Sequence, residues 1–404
     1  MTRRISAAAA ASAVAAALAA GCLSIPPYQP KNGVTRSEDA TGTRVTGPGF
    51  ALHFAGGDGF HFPDALTIDG HDVMGHESSP ACFGQDGTGV LIYPTPRISP
   101  TGTAPAVRNQ LTAVLTGPAV VKMQLDWTTQ LACSRGRAPG GTSTFTVFPD
   151  GRILRNETFD DPKPDDNVTA NGCACNDSGK NQGFTVSSYW TFARAAFQDQ
   201  FYYTDQLTLP LPAATDSDVT NFDPVCLDGG DYQIASTWIT GLPGDTTAIR
   251  GGIAVFGHLM VKEIGASRLD IPWTTSSTLT IDHDGCQTAF RRANRYAHPP
   301  MLKVNGQDTA AASRDGIYGG DADGSGLHGI TLATDHVELT ADKAVPTGFA
   351  VALRFPRSIT TVRATLAGAT GEWYVPQRVT STTWIVWFPA PLEPGQTIAI
   401  EPAT

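Results

Sequence analysis

From Val121 to Trp127 apolar and polar residues alternate without a break, reading Val-Lys-Met-Gln-Leu-Asp-Trp. A period of two sets Val121, Met123, Leu125 and Trp127 on one face of a strand, with Lys122, Gln124 and Asp126 on the other. One face is therefore buried and the other wet. Gly117-Pro118 marks a turn before this strand. Downstream, Thr142 to Phe148 and Arg152 to Phe159 flank Pro149-Asp150-Gly151, whose Asp-Gly supplies the backbone freedom a tight hairpin needs. Only 16% of residues are charged, against 42 Gly and 29 Pro, a balance that suits short strands and turns rather than ion-paired surface helices. The class expected is all-β, with antiparallel β-sandwich domains.

The far end of the chain follows the same logic. Phe349, Val351, Leu353 and Phe355 alternate with Ala350, Ala352 and Arg354, while Trp384 to Phe388 is apolar on both faces, as a central sandwich strand is. Leu392 to Gly395 turns into a last strand, Thr397 to Glu401. With a boundary near Pro299-Pro300, residues 301–404 form a C-terminal β-sandwich domain of immunoglobulin-like size without the cysteine pattern of immunoglobulin domains. Residues 49–300 form the large β-sandwich domain. Within it, residues 160–183 have no periodicity and read as a long loop stapled by cysteines. Tyr189, Ala193, Ala196 and Phe197 have helical spacing and suggest one short helix.

The N-terminus bears on location. Arg3 and Arg4 precede an uncharged, Ala-rich run from Ile5 to Ala20, which ends Ala19-Ala20-Gly21-Cys22. This ending resembles the lipobox of bacterial lipoproteins, with Leu18 one place earlier than that family's usual leucine. The resemblance implies removal of residues 1–21 and acylation of Cys22. An ordinary secretory signal, with Cys22 in a disulfide, is the alternative. Leu23 after the cysteine resembles the pattern sorted to the outer membrane, so the expected location is the cell envelope, with the membrane a partner through the lipid anchor. Residues 22–48, rich in Pro, Thr, Ser and Gly, read as a flexible tether.

The seven cysteines fit that reading. With Cys22 acylated, Cys82, Cys133, Cys173, Cys175, Cys226 and Cys286 remain for three disulfides in an oxidising compartment, with fifteen connectivities open. Cys173 and Cys175 are too close to pair with each other without strain. A zinc site at Cys173-Ala174-Cys175 is the rival reading, but no second pair or nearby His completes it. Cleavage after Gly21 removes Arg3 and Arg4, taking the net charge from −10 to about −12, which disfavours nucleic acid as a partner.

Candidate chemistry is sparse. Asp321, Asp323 and Ser325, with Gly326 sixth, resemble the start of a calcium loop, but position twelve is Leu332 rather than a bidentate Glu. Asp315 and Asp335 are alternative ligands, and a solvated Gly/Asp loop explains the segment as well. No cofactor is required. His71, His76 and Glu77 bring acid/base groups together in seven residues without the spacing of a zinc helix, so a solvated loop is the plainer account. Asp282-His283-Asp284-Gly285 reads first as a hairpin turn. Trp373 and Tyr374, beside the turn residues Gly371 and Pro376, are candidates for an exposed sugar-stacking pair, whereas Trp127, Trp384 and Trp387 belong to the core.

The segment Thr144 to Ile153, TFTVFPDGRI, resembles a hairpin of the large β-sandwich domains in secreted polysaccharide lyases and mutarotase-like proteins. It carries none of those families' catalytic residues. Nothing beyond the hairpin itself transfers to positions here, and a generic hairpin explains the segment as well; a polysaccharide is a candidate partner. No nucleophile elbow, P-loop or Rossmann glycine pattern is present. The functional expectation is thus an envelope protein that binds a glycan or envelope polymer. The alternatives are a carbohydrate-active enzyme using His71, His76 or Glu77, and a purely structural lipoprotein.

Overall fold

The computed structural model describes residues 33–56, 62–75, 88–94, 106–129, 140–159, 169–170, 173–174, 184–198, 200–202, 208–210, 218–220, 224–238, 249–255, 259–267, 273–308, 312–320, 327–367, 369 and 373–403. It is built almost wholly from antiparallel strands, as the alternating patterns require. The centre is a nine-stranded sheet. Its order is Thr208–Pro210, Gln200–Tyr202, Val225–Asp228, Gln233–Trp238, Trp273–Asp282, Arg152–Phe159, Gly140–Val147, Val121–Thr129 and Ala106–Leu115. The expected hairpin is present, with Val147 opposite Ile153, and Gly151 takes φ +79°, a conformation a side chain at that position would strain.

One face of this sheet carries Val121, Met123, Leu125, Trp127, Phe145, Val147, Ile153, Leu279 and Ile281 into the main core. Against that core packs an N-terminal five-stranded meander, Thr35–Asp39 through His71–Asp72, contributing Val45, Leu52, Phe54, Leu66 and Ile68. A third sheet, containing Leu259–Ser267, Phe184–Phe192 and Thr88–Pro94, adds Trp190 and Phe192. Fully burying each large apolar side chain stabilises the fold by roughly 1.5–3 kcal/mol.

The C-terminal unit has two five-stranded sheets of its own, one centred on Val337–Ala341 and Ile398–Pro402, the other on Phe349–Arg354 and Thr383–Phe388. Their inner faces enclose Leu339, Val351, Leu353, Val386, Phe388 and Ile400. The second sheet is apolar on its outer face too, because Ala350, Ala352, Ile385 and Trp387 pack on Ala119, Val120, Phe148 and Leu154 of the nine-stranded sheet's unit. Gln377 fastens this junction by accepting the N–H groups of Ala119 at 3.1 Å and Val120 at 2.9 Å.

Four expectations need correction. The tether 22–48 is already sheet from Thr35, since only one face of Gly42–Gly47 is buried and its polar residues mask the pattern. The short helix expected after Tyr189 is instead strand to Phe192, where pairing with Leu259–Ser267 prevails, followed by a 3-10 turn at Arg194–Ala196. Asp284-Gly285 does not turn a hairpin. Gly285, at φ +87°, opens the helix Cys286–Ala297, whose Ala289, Phe290, Ala293, Tyr296 and Ala297 are buried at helical spacing. Finally, the loop 160–183 contains a short ladder, Thr169–Ala170 with Cys173–Ala174.

Among the described residues one disulfide is formed, Cys226–Cys286, pinning that helix to the strand Val225–Asp228. Cys22, Cys82, Cys133 and Cys175 lie outside the described residues, and Cys173 is placed only by its backbone pairing.

Candidate functional site

The second face of the nine-stranded sheet is divided into three territories. The helix Cys286–Ala297 covers Cys226 and Ala235, and the C-terminal unit covers Phe148 and Leu154. The rest is polar. Register places Thr112, Gln124, Thr144, Asn156 and Ser276 in one row across five strands, and Gln110, Asp126, Thr142, Thr158 and Thr274 in the next. These positions face away from the core because each alternates with a core residue of its own strand.

Exposure falls along the first row, from the exposed Thr112 through the half-buried Gln124, Thr144 and Asn156 to the buried Ser276. Asp126 is exposed and organises its surroundings. It accepts the Thr142 hydroxyl at 2.8 Å and the Gln124 amide at 3.2 Å. At the inner end the segment Ser313–Arg314–Asp315 of the C-terminal unit forms a wall. Asp315 pairs with Lys122 at 2.7 Å and accepts the Asn156 amide at 3.1 Å, and Arg314 donates to Thr274 Oγ1 at 2.9 Å. The arrangement offers amide, hydroxyl and carboxylate groups in a fixed array, suited to hydrogen-bonding a ligand with many oxygens.

The residues singled out by sequence are not gathered there. His71 is exposed on the strand His71–Asp72, and no arginine or tyrosine hydrogen-bonds to it among the described residues; His76 and Glu77 lie outside them. Asp321, Asp323 and Ser325 lie outside them as well. Of the alternative calcium ligands, Asp315 is held by Lys122, and Asp335 by Arg357 at 2.5 Å. Trp373 and Tyr374 are buried in the C-terminal core, the Tyr374 hydroxyl donating to Val362 O at 3.2 Å, so neither ring is open to a sugar. The apolar demand of a small sandwich outweighs the neighbouring turn residues there. Asp282 pairs with Arg292, and His283 with Asp69, each at 2.8 Å.

The polar face is not legible in the sequence because it is assembled from strands far apart along the chain. The one available cue was the wet side of Val121–Trp127, which holds Lys122, Gln124 and Asp126. A second constellation was equally hidden. His53 Nδ1 lies 2.6 Å from Asp64, and its Nε2 lies 3.3 Å from the Thr41 hydroxyl. That hydroxyl has one proton and gives it to Asp39 at 2.5 Å, so the row is not set up as a nucleophile relay.

At the junction, Tyr296 from the helix donates to Asp150 at 2.8 Å and also lies against Thr347 O. Burial pushes the Asp150 carboxyl up, partly opposed by the Arg152 charge, and burial together with Asp150 pushes the Tyr296 phenol well up.

No family model matches the chain, and no curated protein matches it. It is distantly similar in structure to the heparan sulfate lyase HepC of Pedobacter heparinus, with 9% identity and a TM-score of 0.35, over 77% of this chain. The chain spans about 40% of that lyase's length. It is also similar to galactose 1-epimerase of Lactobacillus acidophilus, with 7% identity and a TM-score of 0.32, over 63% of this chain and 99% of the epimerase.

Proposed function

We propose that this chain is a lipid-anchored envelope protein that binds a glycan or another hydroxyl-rich envelope polymer on the polar face of its nine-stranded sheet. The observation that carries the proposal is the ordered array around Asp126, in which Gln124 and Thr142 hold an exposed carboxylate in place. Sugar hydroxyls both donate and accept, and a charged acceptor makes the stronger hydrogen bond. Preorganisation by two neighbours reduces the ordering cost of binding.

The test is a broad glycan array followed by calorimetry on the best hit. Removing a charged hydrogen-bond acceptor costs roughly 1.5–3 kcal/mol, so Asp126→Ala is expected to weaken binding about ten- to a hundredfold while leaving the unfolding midpoint nearly unchanged. A wild-type protein silent across neutral and acidic glycans would end this reading. Export and anchoring rest on the N-terminal segment, and their test is separate. Cells fed a clickable fatty acid should label the wild-type chain and not Cys22→Ser; equal labelling of the two would show that Cys22 is not the acylated residue.

A further inference from the structure

The helix Cys286–Ala297 holds three arginines and no acidic residue, in a chain whose acidic residues outnumber its basic ones by 38 to 28. Its buried residues, Cys286, Ala289, Phe290, Ala293, Tyr296 and Ala297, take the side turned to the sheet. The opposite side exposes Gln287, Arg291, Asn294 and Arg295. Arg292, between the two sides, is engaged by Asp282 at 2.8 Å and Asp284 at 2.9 Å. Arg291 and Arg295 have no ion-pair partner among the described residues. They stand one turn apart on the same face, where like charges repel. Arg295, in the last turn, complements the helix dipole; Arg291 lies outside that turn and has no such compensation.

The place where the chain enters the fold indicates what this face meets. The Val34 N–H donates to Pro118 O at 2.9 Å, just ahead of the strand Val121–Thr129. Val121, Val147, Ile153 and Leu279 stand in one row of the nine-stranded sheet. Neighbouring strands lie about 4.8 Å apart, so roughly 14 Å separates the entry strand from Trp273–Asp282, on which the helix packs. Fully extended, the segment from Cys22 to Gly33 spans at most about 40 Å. An acylated Cys22 therefore keeps the entry end of the sheet, and the helix beside it, close to the bilayer. The apolar side of the helix is already used, because Ala289, Phe290 and Ala293 pack with Cys226 and Ala235. What remains to offer is charge, which suits headgroups rather than hydrocarbon. A net charge of −10 repels an anionic surface as a whole, so the molecule would approach one with its basic face first.

We propose that the Arg291 and Arg295 face of this helix is a docking surface for anionic lipid headgroups, holding the fold against the membrane to which Cys22 is anchored. The choice of partner rests on the anchoring part of the proposed function and is independent of what the polar face binds.

The experiment uses the mature chain carrying Cys22→Ser, so that no acyl chain contributes. It is sedimented with vesicles of phosphatidylcholine alone or of equal parts phosphatidylcholine and phosphatidylglycerol. Binding should require phosphatidylglycerol and be released by salt. An arginine near an anionic surface contributes about fivefold to partitioning, so adding Arg291→Gln and Arg295→Gln should reduce binding about thirtyfold. Both side chains are exposed, so the unfolding midpoint should not move. Arg44→Gln with Arg354→Gln removes the same charge from two other exposed positions and should leave binding intact. Absence of binding to the anionic vesicles, or an equal loss in the two double variants, overturns the proposal. So does capture of the chain by polygalacturonate with none by vesicles, which would assign the face to an acidic glycan. Because the assay contains no acylated protein, its failure leaves the fatty-acid labelling of Cys22 to be decided separately.

Discussion

Replacing both Cys226 and Cys286 by serine is expected to lower the unfolding free energy by about 4 kcal/mol. The bond joins residues 60 apart, and closing a loop of that size removes chain entropy from the unfolded state; the loop-entropy relation gives about 4 kcal/mol at 25 °C. The native state gains more than a tether. Cys286 is the first residue of the helix Cys286–Ala297, and the bond ties it to Cys226, which shares a small buried cluster with Ala235, Ala289, Phe290 and Ala293. A 12-residue helix has little stability alone, so its place over the sheet depends on that cluster and this link. Urea unfolding of wild type and the double variant gives both quantities needed. The midpoint should fall and the denaturant slope should rise, because the unlinked unfolded chain exposes more surface. A loss under 1 kcal/mol would mean that packing of Phe290 and its neighbours holds the helix without the bond.

What the sequence disclosed and what it concealed divide along one physical line. Features encoded in neighbouring residues were legible. The alternation from Val121 to Trp127, the Asp150-Gly151 turn and the doubly apolar Trp384 to Phe388 each specify a local period, and the structure follows them. The reason for the last became visible only in three dimensions, because its second face is covered by Ala119, Val120 and Leu154, more than 200 residues earlier. Where a short-range cue competed with a longer one, the longer one prevailed. Gly285 looked like a turn residue, yet Ala289, Phe290, Ala293 and Tyr296 form a helical stripe that outweighs it, and that stripe was readable. Trp373 and Tyr374 sat beside turn residues but serve the C-terminal core. The polar face was the least accessible of all. Gln110, Gln124, Thr144 and Asn156 are ordinary polar residues until strand order and register set them side by side.

Arg155 and Glu157 lie on the core side of the central strand Arg152–Phe159, both fully buried, and breaking their pair is expected to cost about 3–5 kcal/mol. The guanidinium contacts Glu157 through Nε, donates from Nη1 to Tyr189 O at 2.8 Å, and lies within 5.5–6.0 Å of the ring centroids of Phe145, Phe62 and Trp190. Glu157 accepts the Ser143 hydroxyl, which in turn accepts Trp127 Nε1–H at 2.9 Å. Three neighbouring strands and the opposing sheet are thereby joined through one buried charge pair. Glu157→Leu takes from Arg155 the carboxylate that its Nε contacts, and Arg155→Met takes the guanidinium from Glu157. Each single variant should lose the full amount. Arg155→Met combined with Glu157→Leu removes both charges and fills the space with apolar atoms, and such replacements are often neutral or better. Here Ser143 and the Tyr189 carbonyl lose partners, so some loss remains, at roughly 1–3 kcal/mol for each unsatisfied group. The double variant should therefore be no less stable than the worse single one, with a coupling energy of at least about 2 kcal/mol in a mutant cycle measured by urea unfolding. Additive losses would show that the two side chains act independently and that the pair is not what joins the sheets.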